Sequence, residues 1–475
     1  GLGGAIHSEG PLTVSGSTLS GNSATMGGGI ANGLAGTLQV TASTFLTNTA
    51  SNTGGGIYSV GTLVAEDCVW EANTATASGG GLAAVVTPSD AAPLQVTRCS
   101  FAGNAAMVGG GVYHEGHLLL ATGSTFALNS ADMGGALATL GLAMVRESTF
   151  VHNNAAAGGG AVVAGSQLTV TNSTFSANAT DGSGGALLTI PASGLVVTYS
   201  TLVDNSATTG GGALATQSLA HVANSILRST PTQGGACVAS GGGTISGAYN
   251  LASDATCGAA STDDPLLAAL ADNGGPTETF ALREGSPAVN AGDPDTCPPT
   301  DQRGVARPQG AGCDIGAFEA AAPAVRSDPA GGVTASAATL WGTVTPRGWA
   351  TTAAFEVGDT TAYGTTLSVG SLPVTVTGEI SVSYVLTGLA PHTTYHYRAV
   401  AENAIAPAHG EDGTFTTEAI APAATTLPAA GATVHATVNA HNDDATVTFA
   451  YGPTSAYGAT APATPGTVAG MGETP

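Results

Sequence analysis

Residues 160–185 read GAVVAGSQLTVTNSTFSANATDGSGG, and the reading of this stretch decides the fold. Leu168 and Val170 alternate with polar residues, which is strand periodicity. Gly, Ser, Asn and Thr fill the segments between, and no apolar positions recur at the i, i+3, i+4, i+7 spacing of a helix. The stretch carries a Gly-Gly pair followed by small apolar residues, and an apolar-x-x-Asn quartet. Both marks return roughly every 25 residues down the first half of the chain. The first falls at Gly4, Gly29, Gly56, Gly81, Gly111, Gly135, Gly160, Gly185 and Gly212. The second falls at Leu19/Asn22, Phe45/Asn48, Trp70/Asn73, Phe101/Asn104, Phe126/Asn129, Phe150/Asn153, Phe175/Asn178 and Leu202/Asn205. A fixed period of this size is the signature of a solenoid, whose repeats bury their apolar faces by stacking on one another.

Short strands between Gly corners predict an all-β chain that opens with a single-stranded parallel β-helix. A leucine-rich repeat has a similar period, but its L-x-x-L-x-L-x-x-N core is not matched here. The handedness of parallel crossovers predicts a right-handed coil. Strands of successive coils then pair at about 4.8 Å. A position that recurs once per coil lies above itself. The quartet's apolar residues would form one luminal stack, and Asn22, Asn48, Asn73, Asn104, Asn129, Asn153, Asn178 and Asn205 an amide ladder. The fixed offset from the aromatic makes this a structural ladder rather than a ligand site. Such a ladder satisfies buried amides, which unpaired would each cost roughly 1–3 kcal/mol.

Two residues before each quartet stand Ser17, Ser43, Cys68, Cys99, Ser124, Ser148, Ser173 and Ser200. The cysteines occupy adjacent rungs of a serine column, within disulfide range, so a Cys68–Cys99 bridge is expected. That repeat is long, so a loop near Thr87–Pro93 should bulge outward. Asp67 and Arg98 should stack beside it as a surface ion pair. The remaining cysteines pair by proximity as Cys237–Cys257 and Cys297–Cys313. No CxxC or Cys/His spacing suggests zinc.

The chain has no lysine, and nine arginines face 32 acidic residues for a net charge of −23. This spread of acidity excludes nucleic acid and anionic membranes as partners. An even cysteine count in bridging positions implies an oxidising compartment. There is no apolar run long enough for a membrane helix. The chain opens in mid-repeat without an initiator Met or signal peptide, which reads as a processed or partial piece of an exported protein.

Beyond residue 230 the repeats fade. The words SPAVNAGD (286–293), DQRGVARP (301–308) and CDIGAFE (313–319) are similar to the C-terminal portion of bacterial surface proteins with a choice-of-anchor Q domain. The preceding coils, with their Gly-Gly and F-x-x-N words, resemble the repeats of polymorphic outer-membrane proteins. The two resemblances together cover about residues 1–320. They imply an exported β-helix protein of unassigned activity, displayed on or shed from a bacterial surface. Residues 231–320 are expected to continue the last coils and cap them. Cys297–Cys313 would staple the loop holding Arg303 and Arg307, which could pair with Asp301 and Asp314. A functional reading makes Asp293, Asp295, Asp301 and Asp314 a calcium site, although their spacing matches no EF-hand or nonapeptide repeat.

From Ala321 a Pro/Ala linker leads into alternating strands with frequent turn signals, the pattern of a β-sandwich. The word LTGLAPHTTYHYRAVAEN (386–403) is similar to the fibronectin type III domain. Trp341, Tyr395 and Tyr397 are its expected core or corner aromatics. Residues 432–460 repeat 338–366, but no counterpart of 386–403 follows. Residues 321–419 therefore read as one sandwich and 420–475 as part of a second. Half a sandwich cannot bury its inner face. It reads as a partial chain, or as one completed by strand addition from another copy.

The rival function is a polysaccharide-active enzyme of the pectate-lyase type, which needs carboxylates gathered on one sheet face. Residues 1–230 hold only ten acidic residues and three arginines. Asp132 and Asp181 share one register, two coils apart at about 9.6 Å, with Ala156 between. His114, Glu115 and His117 form a polar corner, and His152, Arg146 and Glu147 lie near one quartet. All of these read as solvated surface. A carbohydrate-binding β-helix without catalysis is a third reading, disfavoured by the scarcity of aromatics on the coil faces. The expectation is an exported, non-enzymatic surface or extracellular protein without an obligatory cofactor. Its expected partners are other copies of itself, or host-surface or matrix glycans.

Overall fold

The computed structural model describes the whole chain except residues 35, 86–92, 230–234, 374–377, 471–472 and 475. It divides into two compact units, Gly1–Ala320 and Ala321–Pro475.

In the first unit each coil contributes up to four short strands, for example Ile30–Asn32, Thr37–Thr41, Thr44–Leu46 and Thr49–Thr53. Equivalent strands of successive coils pair in parallel. Among the described residues they build long sheets of ten, ten and eleven strands and a shorter, interrupted fourth. The third of these sheets carries the aromatic stack. Its register sets Phe45 against Trp70, Trp70 against Phe101 and Phe101 against Phe126. From Phe45 to Phe175 successive ring centroids lie 5.2, 4.5, 4.9, 4.5 and 4.6 Å apart, with planes within 6° of parallel. Backbone pairing imposes this overlap, because each strand presents the same position inward.

The Asn ladder runs beside the rings. Asn104 donates from both its backbone N–H and its Nδ2 to Asn129 Oδ1, each at 3.0 Å. Asn129 Nδ2 donates in turn to Asn153 Oδ1 and back to the Phe101 carbonyl, each at 2.9 Å. Every ladder amide from Asn48 to Asn205 is fully buried.

Three of the corners between these strands take a left-handed backbone. The residues before the serine column (Gly16, Ala42, Asp67, Arg98, Gly123, Glu147, Asn172, Tyr199, Asn224 and Tyr249) all have positive φ, as do those before the ladder Asn. A left-handed non-Gly residue costs roughly 1–2 kcal/mol, and the Ser and Asn hydrogen bonds that follow offset it. The third corner admits only glycine. Gly54 has φ +73°, and a Cβ on Gly55 would stand 2.1 Å from the Gly80 carbonyl oxygen of the next coil.

The stack continues past residue 230 through Cys237–Ala239, Thr244–Ser246, Asn250–Ala252 and Ala259–Ser261. A Cys237–Cys257 disulfide closes this last turn. Residues 262–320 follow this last turn. They fold back as a strap along the outer face of the third sheet. The outward threonines of that sheet bind the strap. Thr149 Oγ1 donates to the Glu278 carbonyl, Thr174 Oγ1 donates to Gln302 Oε1, and the Ala317 N–H donates to Thr201 Oγ1. Thr149, Thr174 and Thr201 are buried as a result, whereas Thr18 lies exposed at the start of the same column.

In the second unit, residues 324–416 form an antiparallel sandwich. One sheet pairs Ala324–Gly331, Ala337–Thr345 and Ile380–Thr387; the other is built on Thr351–Gly358 and Thr394–Glu402. Leu340, Val344, Phe355, Tyr397 and Ala399 fill the space between them. Tyr395 Oη accepts the Ala390 N–H and ties the corner entering its strand. Trp341 is 42% exposed, contrary to expectation, because strand alternation turns Leu340 inward and its neighbour out. Residues 423–474 repeat the first strands of this sandwich. Thr474 pairs with Val438 as Ile380 pairs with Val344, each 94 residues on. This second half buries only Val438, Ala440, Ala445 and Val468 as apolar residues among those described.

Candidate functional site

The polar residues with chemical potential gather where the strap meets the coils. Asp301 is wholly buried. Its Oδ1 accepts the Arg303 and Val305 N–H groups, and its Oδ2 accepts Arg303 Nη2 at 2.6 Å and the Glu319 N–H. Arg303 lies over the Phe318 ring. Arg307 pairs with Glu319 at 3.1 Å and donates to the Asp314 and Gly316 carbonyls at 2.7 Å. Its guanidinium also faces the Tyr199 ring. The Glu319 carboxylate accepts the Gln309 and Asp314 N–H groups. Burial raises the Glu319 pKa, while the Asp314 carboxyl, buried beside it, is pushed up to about 7. The Cys297–Cys313 disulfide closes the loop that holds both arginines.

The four calcium candidates do not converge. Asp301 and Asp314 are spent inside this network, Asp314 on the Asn290 and Ala320 N–H groups. Asp293 and Asp295 lie on the strap surface, where Asp293 accepts the Asp295 N–H and the Thr296 hydroxyl. Among the described residues no group of three or more His, Cys, Asp or Glu side chains could hold a metal ion. Asp132, on the fourth sheet, and Asp181, just past its strand, are both exposed, but a register shift between Ala131 and Met133 takes Asp132 out of line.

Cys68 and Cys99 are free thiols, which corrects the expected bridge. Each takes over the hydrogen bonds of a serine. Cys68 Sγ donates to the Glu66 carbonyl at 3.1 Å and Cys99 Sγ to the Thr97 carbonyl at 3.2 Å, as Ser124 Oγ does to Thr122. In-register strands point both side chains the same way, and these bonds hold each thiol in the serine rotamer. The loop expected near Thr87–Pro93 lies almost wholly outside the described residues. Outside the column, Arg98 pairs with Asp67 at 2.8 Å and also with Glu66. With side chains about half exposed, this pair is screened by solvent and adds little to stability. Denatured protein, alkylated without reductant, should take up two labels, both mapping to Cys68 and Cys99. Uptake of none would restore the bridge.

His114 was expected on the surface and is instead buried, because position 114 falls in the inward phase of Val112–Glu115. Thr139 Oγ1 spends its own proton on the Gly141 carbonyl, so His114 Nδ1 must donate to it, at 3.0 Å. Burial lowers the His114 pKa to about 4. Between pH 4 and the ordinary value of 6.5, the folded state then binds fewer protons here than the unfolded state. This group's contribution to stability is therefore lost as the pH falls through that window. An imidazole NMR titration should show His114 neutral at pH 5.5; a midpoint near 6.5 would refute its burial.

Two clefts remain. One, of about 280 Å³, lies at the corner between the second and third sheets and is walled on one side by the strap. The other, of about 620 Å³, opens between the two small sheets of residues 423–474 and is lined by Val434, Val438, Val447, Phe449 and Tyr451 among others. Sequence reasoning missed Glu319, Gln302, Tyr199 and Tyr249. The tyrosines were legible as the only aromatics in the corner column; the other two carried no periodic signal.

No family model matches the chain, and no curated protein matches it. Among solved structures it is similar to the sensor domain of the anti-sigma factor RsgI4 of Pseudobacteroides cellulosolvens, in a short and a long form. Identity to the short form is 23%, over 21% of this chain and 96% of that one, with a TM-score of 0.18. For the long form the values are 22%, 21%, 91% and 0.16.

Proposed function

We propose that this is an exported, non-enzymatic surface or extracellular protein, in which a stiff β-helix carries fibronectin III-like sandwiches as spacers for adhesion or display. The observation that carries the reading is a parallel β-solenoid whose last turn is closed by the Cys237–Cys257 disulfide and whose strap is closed by Cys297–Cys313. Disulfides of this kind persist in oxidising compartments. No helix among the described residues is long and apolar enough to cross a membrane. The Tyr395 corner supports the fibronectin III reading, since a tyrosine there bonding a few residues upstream is a sandwich hallmark. The strap carries the DQRG and DIGAFE words that resemble the choice-of-anchor Q region. Protease shaving of intact cells should release peptides from residues 1–320, and a non-reducing peptide map should show both bridges. Recovery from the cytoplasm with Cys237 and Cys297 reduced would reject export.

The enzymatic reading has little support from Asp132 and Asp181, which the register shift takes out of line. Turnover of an acidic polysaccharide, abolished by Asp132→Asn, would reverse that. For calcium, chelation should leave the melting midpoint unchanged. Assembly into fibres is a subsidiary reading, supported by the open cleft of residues 423–474. Electron microscopy at high concentration tests it; isolated particles alone would reject it.

A further inference from the structure

We infer that the corner cleft between coil and strap is a binding site for one ring of a neutral glycan. The cleft arises from a graded column. Outward residues at the end of the second sheet shrink from Arg146 through Thr171 and Thr198 to Ala223. This hollows the corner next to the strap. Both walls are held in place. Asn224 Nδ2 donates to Thr296 Oγ1 while its Oδ1 accepts the Asp293 N–H at 2.8 Å, and Tyr199 Oη donates to the Asp293 carbonyl at 3.0 Å. A site so braced loses little freedom when it binds.

Of the ten left-handed corner residues before the serine column, the two aromatic ones, Tyr199 and Tyr249, both line this cleft. The Tyr199 side chain is committed to the strap. Tyr249 is 43% exposed, and its hydroxyl has no partner among the described residues. His221 also lines the cleft, exposed, and its imidazole has no hydrogen bond among the described residues. The Asp293 carboxylate keeps lone pairs beyond those taken by the Asp295 N–H and the Thr296 hydroxyl. The open groups are thus one aromatic face, one imidazole and one carboxylate. They match the apolar face of a pyranose with adjacent hydroxyls at its rim. The volume, about 280 Å³, lies at the small end of ligand pockets and suits one ring rather than a buried oligosaccharide. Asp293 and the neighbouring Asp295 repel uronates and sialates, so the ring is neutral.

This deepens the adhesive reading and rests on it, but its test needs only purified protein. Saturation-transfer NMR of the full chain with methyl hexopyranosides should show transfer to at least one of them and none to galacturonate. Tyr249→Asn should weaken that binding at least tenfold. Asparagine already occupies this corner at Asn172 and Asn224, so the variant should fold with an unchanged melting midpoint. Asp293→Asn should narrow the preference for neutral over acidic sugars. Absence of transfer from every neutral glycoside, or binding indifferent to Tyr249→Asn, would overturn the site and leave export to the shaving experiment. A preference for galacturonate would overturn the ligand class.

Discussion

Arg307→Ala is expected to lower the stability of the Gly1–Ala320 unit by roughly 3–5 kcal/mol, the usual result of removing one partner from a buried ion pair. The Arg307 side chain is fully buried, and its guanidinium is the partner of a Glu319 carboxylate with 1% exposure. Without it, Glu319 and Asp314 face each other in a low-dielectric site. The two carbonyls that Arg307 bonds, of Asp314 and Gly316, also lose their donor. Arg307→Lys should recover only part of the loss, because a single ammonium cannot bond both carbonyls and the carboxylate together. The loss should depend on pH. Removing the cation raises the folded-state pKa of carboxyls that burial has already raised. The folded variant then binds more protons than its unfolded chain, so its deficit should shrink as the pH falls from 7 toward 4. Urea unfolding at pH 7 and pH 4.5 measures both effects. A deficit below about 1 kcal/mol at pH 7, where exposed pairs fall, would show that the strap core is not held by this pair.

Asn129→Ala should cost about as much, by a different route. Asn129 Oδ1 accepts two N–H groups of Asn104, and its Nδ2 donates to Phe101 and Asn153. Alanine leaves the two Asn104 donors buried and unpaired, at roughly 1–3 kcal/mol for each group, and takes from the Phe101 carbonyl its side-chain donor. Asn129→Asp keeps the acceptor but removes the donor, setting its carboxylate against the Phe101 carbonyl and Asn153 Oδ1. It should be no better. Asn22→Ala is the internal control: Asn22 is partly exposed, and no described residue donates to its Oδ1. The control should lose less than half as much. Equal losses at Asn22 and Asn129 would mean that the ladder follows the fold rather than holding it.

The coil was legible because stacking turns a linear repeat into a vertical column. The residues from Leu19 to Leu202, the ladder and the glycine corner each answer to one physical demand repeated rung after rung. His114 and the two thiols show the limit of that reading. Polar character suggested a surface for His114, but strand phase placed it inside. Proximity suggested a bridge for Cys68 and Cys99, but the serine column had already assigned their hydrogen bonds. Trp341 repeats the lesson in the sandwich, where alternation overrides hydrophobicity.

Local chemistry recurring at a fixed interval thus determined the solenoid, its core and its corners, since each coil needs only its neighbours. Only the tertiary structure decided the strap. Its contacts join residues well over a hundred positions apart, such as Thr149 with Gln302 and Thr201 with Ala317. No period links such residues. Their pairing depends on which face of the finished column stays open when the last coil ends, and that face exists only after the coils have stacked.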